Sequence, residues 1–166
     1  AIRFLTSTGW RRGEVLGLRW TELDLERRTA RLTDTKTGDS LRPLPYRACD
    51  ILRSLPRTGE LVFAATRGEG PMTGFGKMWS RLFKDTDLPS EVTAHVLRHS
   101  FASLASDLGF SESTIAALVG HKGHTITSRY VHAADAVLLG HMEALFTKDA
   151  KIVRFRVPPY ADPYPY

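Results

Sequence analysis

The chain has 166 residues, of which 42% are hydrophobic and 25% are charged, and its formal net charge is +5. The length favours one domain and the composition is that of a globular protein with a core, which excludes a disordered or disulfide-dependent chain. The single Cys49 excludes an internal disulfide and a multi-cysteine zinc site and suits a reducing cytoplasm, and no apolar run approaches the roughly 18 residues of a membrane span. The basic excess favours a polyanionic partner.

Hydrophobic periodicity and turn residues predict the elements of the first half of the chain. Gly9 separates two helices. Further on, polar residues alternate with Ala30 and Leu32, and a Thr-Gly-Asp-Ser turn follows, which predicts a β-hairpin with Lys36 near its tip. In chain order the predicted elements are helices over 2–8 and 11–19, the hairpin over 27–45, a helix over 46–55, a short strand over 61–63, a loop over 66–72 and a helix over 73–85.

The second half is predicted to be mainly helical. Apolar residues recur at near-helical spacing up to Leu108, Gly109 supplies a stop, and Ser111 is a favoured N-cap for a helix that Gly120 ends. The predicted elements are helices over 91–108, over 111–119, from about 125 through Tyr130 and over 134–146, then a strand over 151–157 and a disordered tail. Because the sequence begins at Ala1 within what reads as a helix, we expect a fragment.

A cluster of cationic and imidazole side chains is the main chemical feature. Five of the six histidines lie within 38 residues: His95, His99, His121, His124 and His132. Arginines and histidines brought together can bind phosphate without a metal, and two arginines can stabilise the charge of a phosphoryl-transfer transition state. A tyrosine can then act as the nucleophile, with a histidine as base and a lysine protonating the leaving oxygen. The candidates for this chemistry are Arg11, Lys36, His95, Arg98, His121 and Tyr130.

The segments that carry these residues resemble a known family. TGWRRGEVLGLRW, DTKTGDSLRPLP, HVLRHSFAS and LVGHKGHTITSRYVH resemble, in order and spacing, the catalytic domain of the tyrosine recombinases, the phage integrase family. The resemblance implies an α+β fold, mainly helical with a small antiparallel β-hairpin or sheet. It covers residues 1–147 as the catalytic domain, with 148–166 as a C-terminal strand and disordered tail, and it implies that an N-terminal DNA-binding domain is missing.

The resemblance also implies a role for each candidate residue. The implied roles are Arg11 as the first catalytic arginine, Glu14 as the acidic residue that supports it, Lys36 as the hairpin general acid, His95 as base, Arg98 as the second phosphate clamp, His121 as a hydrogen-bond donor to a nonbridging oxygen and Tyr130 as the nucleophile. The implied DNA contacts are Arg11, Lys36, Arg98, Lys122 and Arg129. Val96 departs from the family pattern, in which an acidic residue is common there.

The family's chemistry requires no cofactor and no metal. The tyrosine attacks a DNA phosphodiester, forms a 3'-phosphotyrosine and frees a 5'-hydroxyl that rejoins another strand. The implied partners are double-stranded recombination sites and further copies of the protein, as a tetramer on DNA in which the segment over 134–157 packs on a neighbour. The implied setting is the cytoplasm of a prokaryote, in a prokaryotic or phage-encoded protein with no membrane partner.

Each candidate residue also has an ordinary structural interpretation. By spacing alone, Arg11 and Arg12 are equally good candidates for the first arginine. Taken singly, the others would be surface, capping, solvated or packing groups: His95, Arg98, Lys36 and Tyr130. The pairs His95/His99 and His121/His124 have chelating spacing, but no cysteine or carboxylate completes either one, and we expect no metal site.

Two other functions fit part of the sequence. The stretch from Ser111 to Tyr130 could be the helix-turn-helix of a non-enzymatic DNA-binding regulator, which leaves Arg11, Lys36 and Arg98 unexplained. A type IB topoisomerase would use a similar tyrosine to relax supercoils, but the Gly-His-Lys spacing fits the recombinases better. A covalent protein–DNA adduct would separate the enzymes from the regulator.

Overall fold

A computed structural model describes residues 1–33, 38–65, 70–84, 86, 92–120 and 140. The fold is α+β and mainly helical, as predicted, with a small antiparallel sheet. The described helices are α1 (Ile2–Thr8), α2 (Arg12–Leu16), α3 (Tyr46–Arg53), α4 (Phe75–Phe83), α5 (Ala94–Asp107) and α6 (Glu112–Val119), and the strands are β1 (Leu23–Asp24), β2 (Thr29–Leu32) and β3 (Ser40–Pro43). Within these ranges no helix is long and apolar enough to cross a bilayer.

Helix ends fall at the predicted punctuation residues. Gly9 ends α1 in the left-handed conformation, with φ +64°, and Gly120 ends α6 in the same way, with φ +73°. At the start of α6 the Ser111 hydroxyl accepts a hydrogen bond from the Thr114 amide at 3.2 Å. Glycine adopts positive φ at little cost and serine satisfies an otherwise unpaired amide, so local chemistry sets these boundaries.

Two predictions for the segment around α2 are wrong. The helix predicted over 11–19 ends at Leu16, because Arg19 adopts an extended conformation and forms a β-bridge with Leu61. The strand predicted over 61–63 is only that bridge, after which the Val62 amide donates to the Leu18 carbonyl at 2.8 Å. Both differences have one cause, since a pairing between residues 42 positions apart in the chain overrides local periodicity.

The sheet places one arginine on the core side. β2 pairs antiparallel with β1 and with β3, and Ala30 lies opposite Arg42 in the β2–β3 register. Directly opposed residues share a face of a sheet. Since Ala30 is fully buried, Arg42 is directed inward with it, and its side chain is also fully buried.

Helix α1 lies at the centre of the main core. It packs against α3 and α5, and the Phe4 ring meets the Trp10 ring edge-on at a centroid distance of 5.3 Å. A second, smaller cluster joins α5 to α6 through Phe101, Ala105, Leu118 and Val119. The packing therefore fixes the turn between α1 and α2 against α5.

Several predicted elements lie outside the described residues. These are the hairpin tip with Lys36, the helix from about 125 through Tyr130, most of the helix over 134–146, the strand over 151–157 and the tail. Gly140 is described, in helical conformation. The domain boundary between 147 and 148 stays a prediction.

Replacing Gly9 by alanine is expected to destabilise the fold by roughly 2–5 kcal/mol, the sum of left-handed strain and overpacking. A Cβ at Gly9 would lie 2.7 Å from the Phe101 ring. Gly109→Ala is the matched control, because Gly109 has φ +80° with no heavy atom of a described, non-adjacent residue within 4 Å of its added Cβ, so it should cost about 1–2 kcal/mol from strain alone. Urea unfolding of both variants measures the difference, and equal losses would contradict the close packing of α1 on α5.

Candidate active site

A cleft of about 340 Å³ opens between the start of α2 and the first turn of α5. It brings together three of the residues predicted from the sequence, which are far apart in the chain: Arg11, His95 and Arg98. The complete lining is Trp10, Arg11, Arg12, Gly13, Thr93, Ala94, His95 and Arg98. Packing of α1 on α5 creates this proximity, because the turn after α1 then faces the beginning of α5.

Arg98 is a buried cation, and among the described residues only one of its two terminal nitrogens has hydrogen-bond acceptors. Only 5% of the residue is exposed, so its interpretation as a surface group is wrong. One terminal nitrogen donates to the carbonyls of Gly9 at 2.9 Å and Val119 at 2.6 Å, whereas the other has no hydrogen-bond partner among the described residues. Buried donors are nearly always paired, so an unpaired one at a cleft is suited to an incoming acceptor.

Burial and neighbouring charge act together on Arg98. Loss of solvation, followed by the nearby Arg11 and Arg42 guanidinium groups, lowers the pKa of Arg98 to about 10, and Glu14 opposes part of that change. At neutral pH the side chain is still protonated. An anion entering the cleft would meet a desolvated positive charge, whose attraction is much stronger than it would be in water.

The structure distinguishes Arg11 from Arg12. Arg11 precedes α2 and donates from its backbone amide and its guanidinium to the two oxygens of Glu14, each at 2.9 Å. It also donates to the Gly120 carbonyl at 3.3 Å. Arg12 is exposed, with its guanidinium 6.0 Å from the centroid of the Phe75 ring. The cleft therefore has one anchored arginine at this edge and one at the surface.

Glu14 is the carboxylate of the arginine cluster. Burial alone would raise its pKa, but hydrogen bonds and charge from Arg42, with hydrogen bonds from Arg11, outweigh that effect and lower the pKa of Glu14 below its usual range. The side chain is therefore ionised at neutral pH. Its role is to anchor arginines, consistent with a supporting position beside the cleft.

His95 lies on the exposed first turn of α5 and lines the cleft with Arg98, one helical turn later. Its ring meets the His99 ring edge-on at a centroid distance of 4.4 Å. Within the described ranges no group of three or more histidine, cysteine or acidic residues could hold a metal. An imidazole at the mouth of an anion-binding cleft is placed to exchange a proton with a bound group.

The sequence analysis missed Arg42. Its two terminal nitrogens donate to the two oxygens of Glu14, each at 2.8 Å, and its guanidinium lies 5.2 Å from the centroid of the Trp10 ring. A signal was present in the predicted hairpin, because an inward-facing Ala30 implies an inward-facing partner on the returning strand. A buried arginine requires a carboxylate, and Glu14 was already a candidate.

Five of the predicted site residues lie outside the described residues: Lys36, His121, Lys122, Arg129 and Tyr130. The same is true of the second helix of the helix-turn-helix interpretation, of which only α6 is described. The described part of the site consists of Arg11, Glu14, His95 and Arg98, with Arg42 behind them. Its chemistry is that of an electropositive cleft that can hold an anion and exchange a proton with it.

Comparisons with known proteins agree on one family. The model of the Phage integrase family matches residues 1–136. The shufflon-specific DNA recombinase of Escherichia coli is 32% identical over 154 residues, which are 91% of this chain and 38% of that protein. The tyrosine recombinase XerD of Ralstonia nicotianae is 29% identical over 146 residues, 80% of this chain and 47% of that protein. The chain thus spans less than half the length of these relatives.

Solved structures agree on the fold. The integrase from mycobacterium phage Brujita has a TM-score of 0.70 at 23% identity, with 87% of this chain and 50% of that chain covered. The Tn1549 transposon integrase, in complex with transposon right end DNA, has a TM-score of 0.62 at 23% identity, with 87% and 57% covered. Both similarities concern the architecture.

Proposed function

The chain belongs to the phage integrase family of tyrosine recombinases, and we propose that it is the catalytic domain of a site-specific recombinase that cuts and rejoins DNA through a covalent 3'-phosphotyrosine. The observation that carries this proposal is the buried guanidinium of Arg98 beside Arg11 at one cleft, with a donor that no described residue satisfies. A scissile phosphodiester supplies the missing acceptor. The catalytic domain corresponds to residues 1–147.

Each residue proposed for the site has a defined part in this reaction. Arg98 and Arg11 donate to the nonbridging oxygens and stabilise the charge that builds up on them. The Tyr130 oxygen forms a bond to phosphorus as the bond from phosphorus to the 5' oxygen breaks. His95 takes the phenol proton and Lys36 supplies a proton to the leaving oxygen, while His121 donates to a nonbridging oxygen. Phosphotyrosine retains the energy of the phosphodiester, so rejoining needs no cofactor.

The DNA partner and the assembly follow from the same function. The Tn1549 integrase, whose fold this chain shares, was solved with transposon DNA, and we extend DNA as the partner to this chain. Lys122 and Arg129 add phosphate contacts. Recombination joins two cut sites, so we propose a tetramer on DNA in which the segment over 134–157 packs on a neighbouring copy, in the cytoplasm of a prokaryote.

The alternative functions are less well supported. A helix-turn-helix regulator does not require a cluster of arginines that donates to Glu14 and to the carbonyls at the end of α6. A type IB topoisomerase shares the chemistry, but the curated relatives reported above are recombinases. We therefore favour strand exchange over relaxation of supercoils.

The proposed function is tested by trapping the adduct. The substrate is a pool of nicked duplexes with randomised arms, because phosphate contacts carry no base sequence. Cleavage beside the nick releases a short 5'-hydroxyl fragment that diffuses away, so protein–DNA adduct should accumulate, and it should do so in excess EDTA. Labelling each DNA end in turn identifies the linkage. We expect the protein on a 3' phosphate, and a 5' linkage or no adduct would contradict the proposal.

A further inference from the structure

We propose that Arg42 is a positioning residue of the strand-cleavage site. By donating to both oxygens of Glu14, it keeps the Arg11 guanidinium available to the scissile phosphate. This inference rests on the proposed function. It assigns to strand β3 a task in the chemistry, although Arg42 does not line the cleft.

The contacts of Glu14 leave no acceptor position unused. Each of its two oxygens accepts one hydrogen bond from Arg42, at 2.8 Å, and one from Arg11, at 2.9 Å. An ionised carboxylate has about four acceptor positions, and all four are filled. Arg42 takes one position on each oxygen. Arg11 therefore donates to Glu14 from its backbone amide and one terminal nitrogen, and its guanidinium does not form a bidentate pair with the carboxylate.

Removing Arg42 would change that balance. Glu14 is buried and ionised, so without Arg42 its charge would lose the cation that matches both oxygens. Among the described residues, Arg11 is the other side chain that donates to it. A guanidinium favours a bidentate pair with a carboxylate, and Arg11 would be drawn onto Glu14 and away from a phosphate.

Arg42 also contacts the backbone at the end of α6. One of its terminal nitrogens donates to the Val119 carbonyl at 3.4 Å, the same carbonyl that Arg98 binds at 2.6 Å. A Cβ added to Gly120 would lie 2.2 Å from the Arg42 guanidinium carbon. Because Arg11 binds the Gly120 carbonyl, all three arginines meet at this helix end, where the carbonyl dipoles favour positive charge.

The experiment compares two substrates in single-turnover adduct formation by this chain. One is a nicked duplex recovered as adduct from the randomised pool, and the other is the same duplex with an uncharged methylphosphonate at the scissile position. A clamp that offsets the negative charge of the two nonbridging oxygens matters much more for the phosphate than for the uncharged methylphosphonate, which has one such oxygen. The variants are Arg42→Gln and the double variant Arg42→Gln with Glu14→Gln. The control is Arg31→Gln, which removes an exposed arginine of the same hairpin, whose guanidinium pairs with Asp39 at 3.6 Å.

We expect Arg42→Gln to lower the saturating rate on phosphate by roughly 100-fold and to lie within about threefold of the parent chain on methylphosphonate. The double variant should regain about tenfold on phosphate, because Glu14 no longer attracts Arg11 as a charge. Arg31→Gln should keep the saturating rate on both substrates. If Arg42→Gln is unfolded at the assay temperature, Arg42→Lys and the double variant make the same comparison.

Equal defects on the two substrates, or a double variant no faster than Arg42→Gln, would overturn the positioning role and leave the proposed function intact. If the parent chain forms no adduct, the proposed function fails, and the positioning role fails with it. A rate defect of Arg42→Gln that is seen on phosphate and not on methylphosphonate supports the role, since a purely structural defect would slow both reactions alike.

Discussion

Replacing Tyr130 by phenylalanine is expected to abolish the covalent adduct completely. Phenylalanine keeps the ring but lacks the oxygen that bonds to phosphorus, so the covalent bond cannot form even slowly. The measurement is the nicked-duplex assay, in which adduct is separated on a denaturing gel. The reaction is continued long enough to detect a small fraction of the parent yield. Noncovalent binding to the duplex, measured by gel shift, should be retained.

Tyr46→Phe is the control for this substitution. Tyr46 is exposed at the start of α3, with its ring 3.9 Å from the guanidinium carbon of Arg28, and phenylalanine preserves that ring. The adduct yield should match that of the parent chain. Adduct formation by Tyr130→Phe would show that another residue is the nucleophile, and phenylalanine substitutions at the three tyrosines of the tail would then identify it.

Replacing Arg98 by alanine is expected to slow adduct formation by roughly 10³-fold or more, because it removes a desolvated donor from the developing charge. Duplex affinity should change little, since many other phosphate contacts remain. Single-turnover rates at saturating DNA measure the first effect and gel shifts the second. A decrease in rate of less than about tenfold would contradict the clamp role.

A stability control is required for Arg98, because its guanidinium also binds the carbonyls of Gly9 and Val119. Alanine removes the bond to the Gly9 carbonyl and leaves Val119 with the longer bond from Arg42 at 3.4 Å, and each lost hydrogen bond to a buried acceptor costs about 1–3 kcal/mol. Thermal unfolding shows whether the variant is folded at the assay temperature. Arg53→Ala, which removes an exposed arginine paired with Asp50 on α3, should leave both rate and stability unchanged.

Local signals predicted the helices well. Gly9, Ser111 and Gly120 act on the backbone next to them, so the ends of α1 and α6 follow from the residues themselves. The end of α2 and the single bridge at Leu61 depend on a partner distant in the chain, which periodicity does not detect. Strand β1 was missed because two residues carry no recognisable alternation.

The site was predicted as a set of residue types, and its geometry was not. Spacing placed His95 and Arg98 on one face of α5, and both line the cleft. Spacing did not predict that Arg98 would be buried or would bind Gly9 and Val119, because both facts depend on how α1 and α6 pack on α5. Arg42 was missed because its role appears only when the hairpin register and Glu14 are considered together.

The meeting of three guanidinium groups at the end of α6 makes that helix sensitive to length. All three groups donate to main-chain carbonyls at this end, so its position relative to the arginines depends on the number of residues in the helix. One inserted or deleted residue would turn the terminal carbonyls by about 100° around the helix axis. Substitutions at the exposed start of α6 should therefore leave the arginines in place, whereas a residue inserted or deleted within the helix should displace them from its terminal carbonyls.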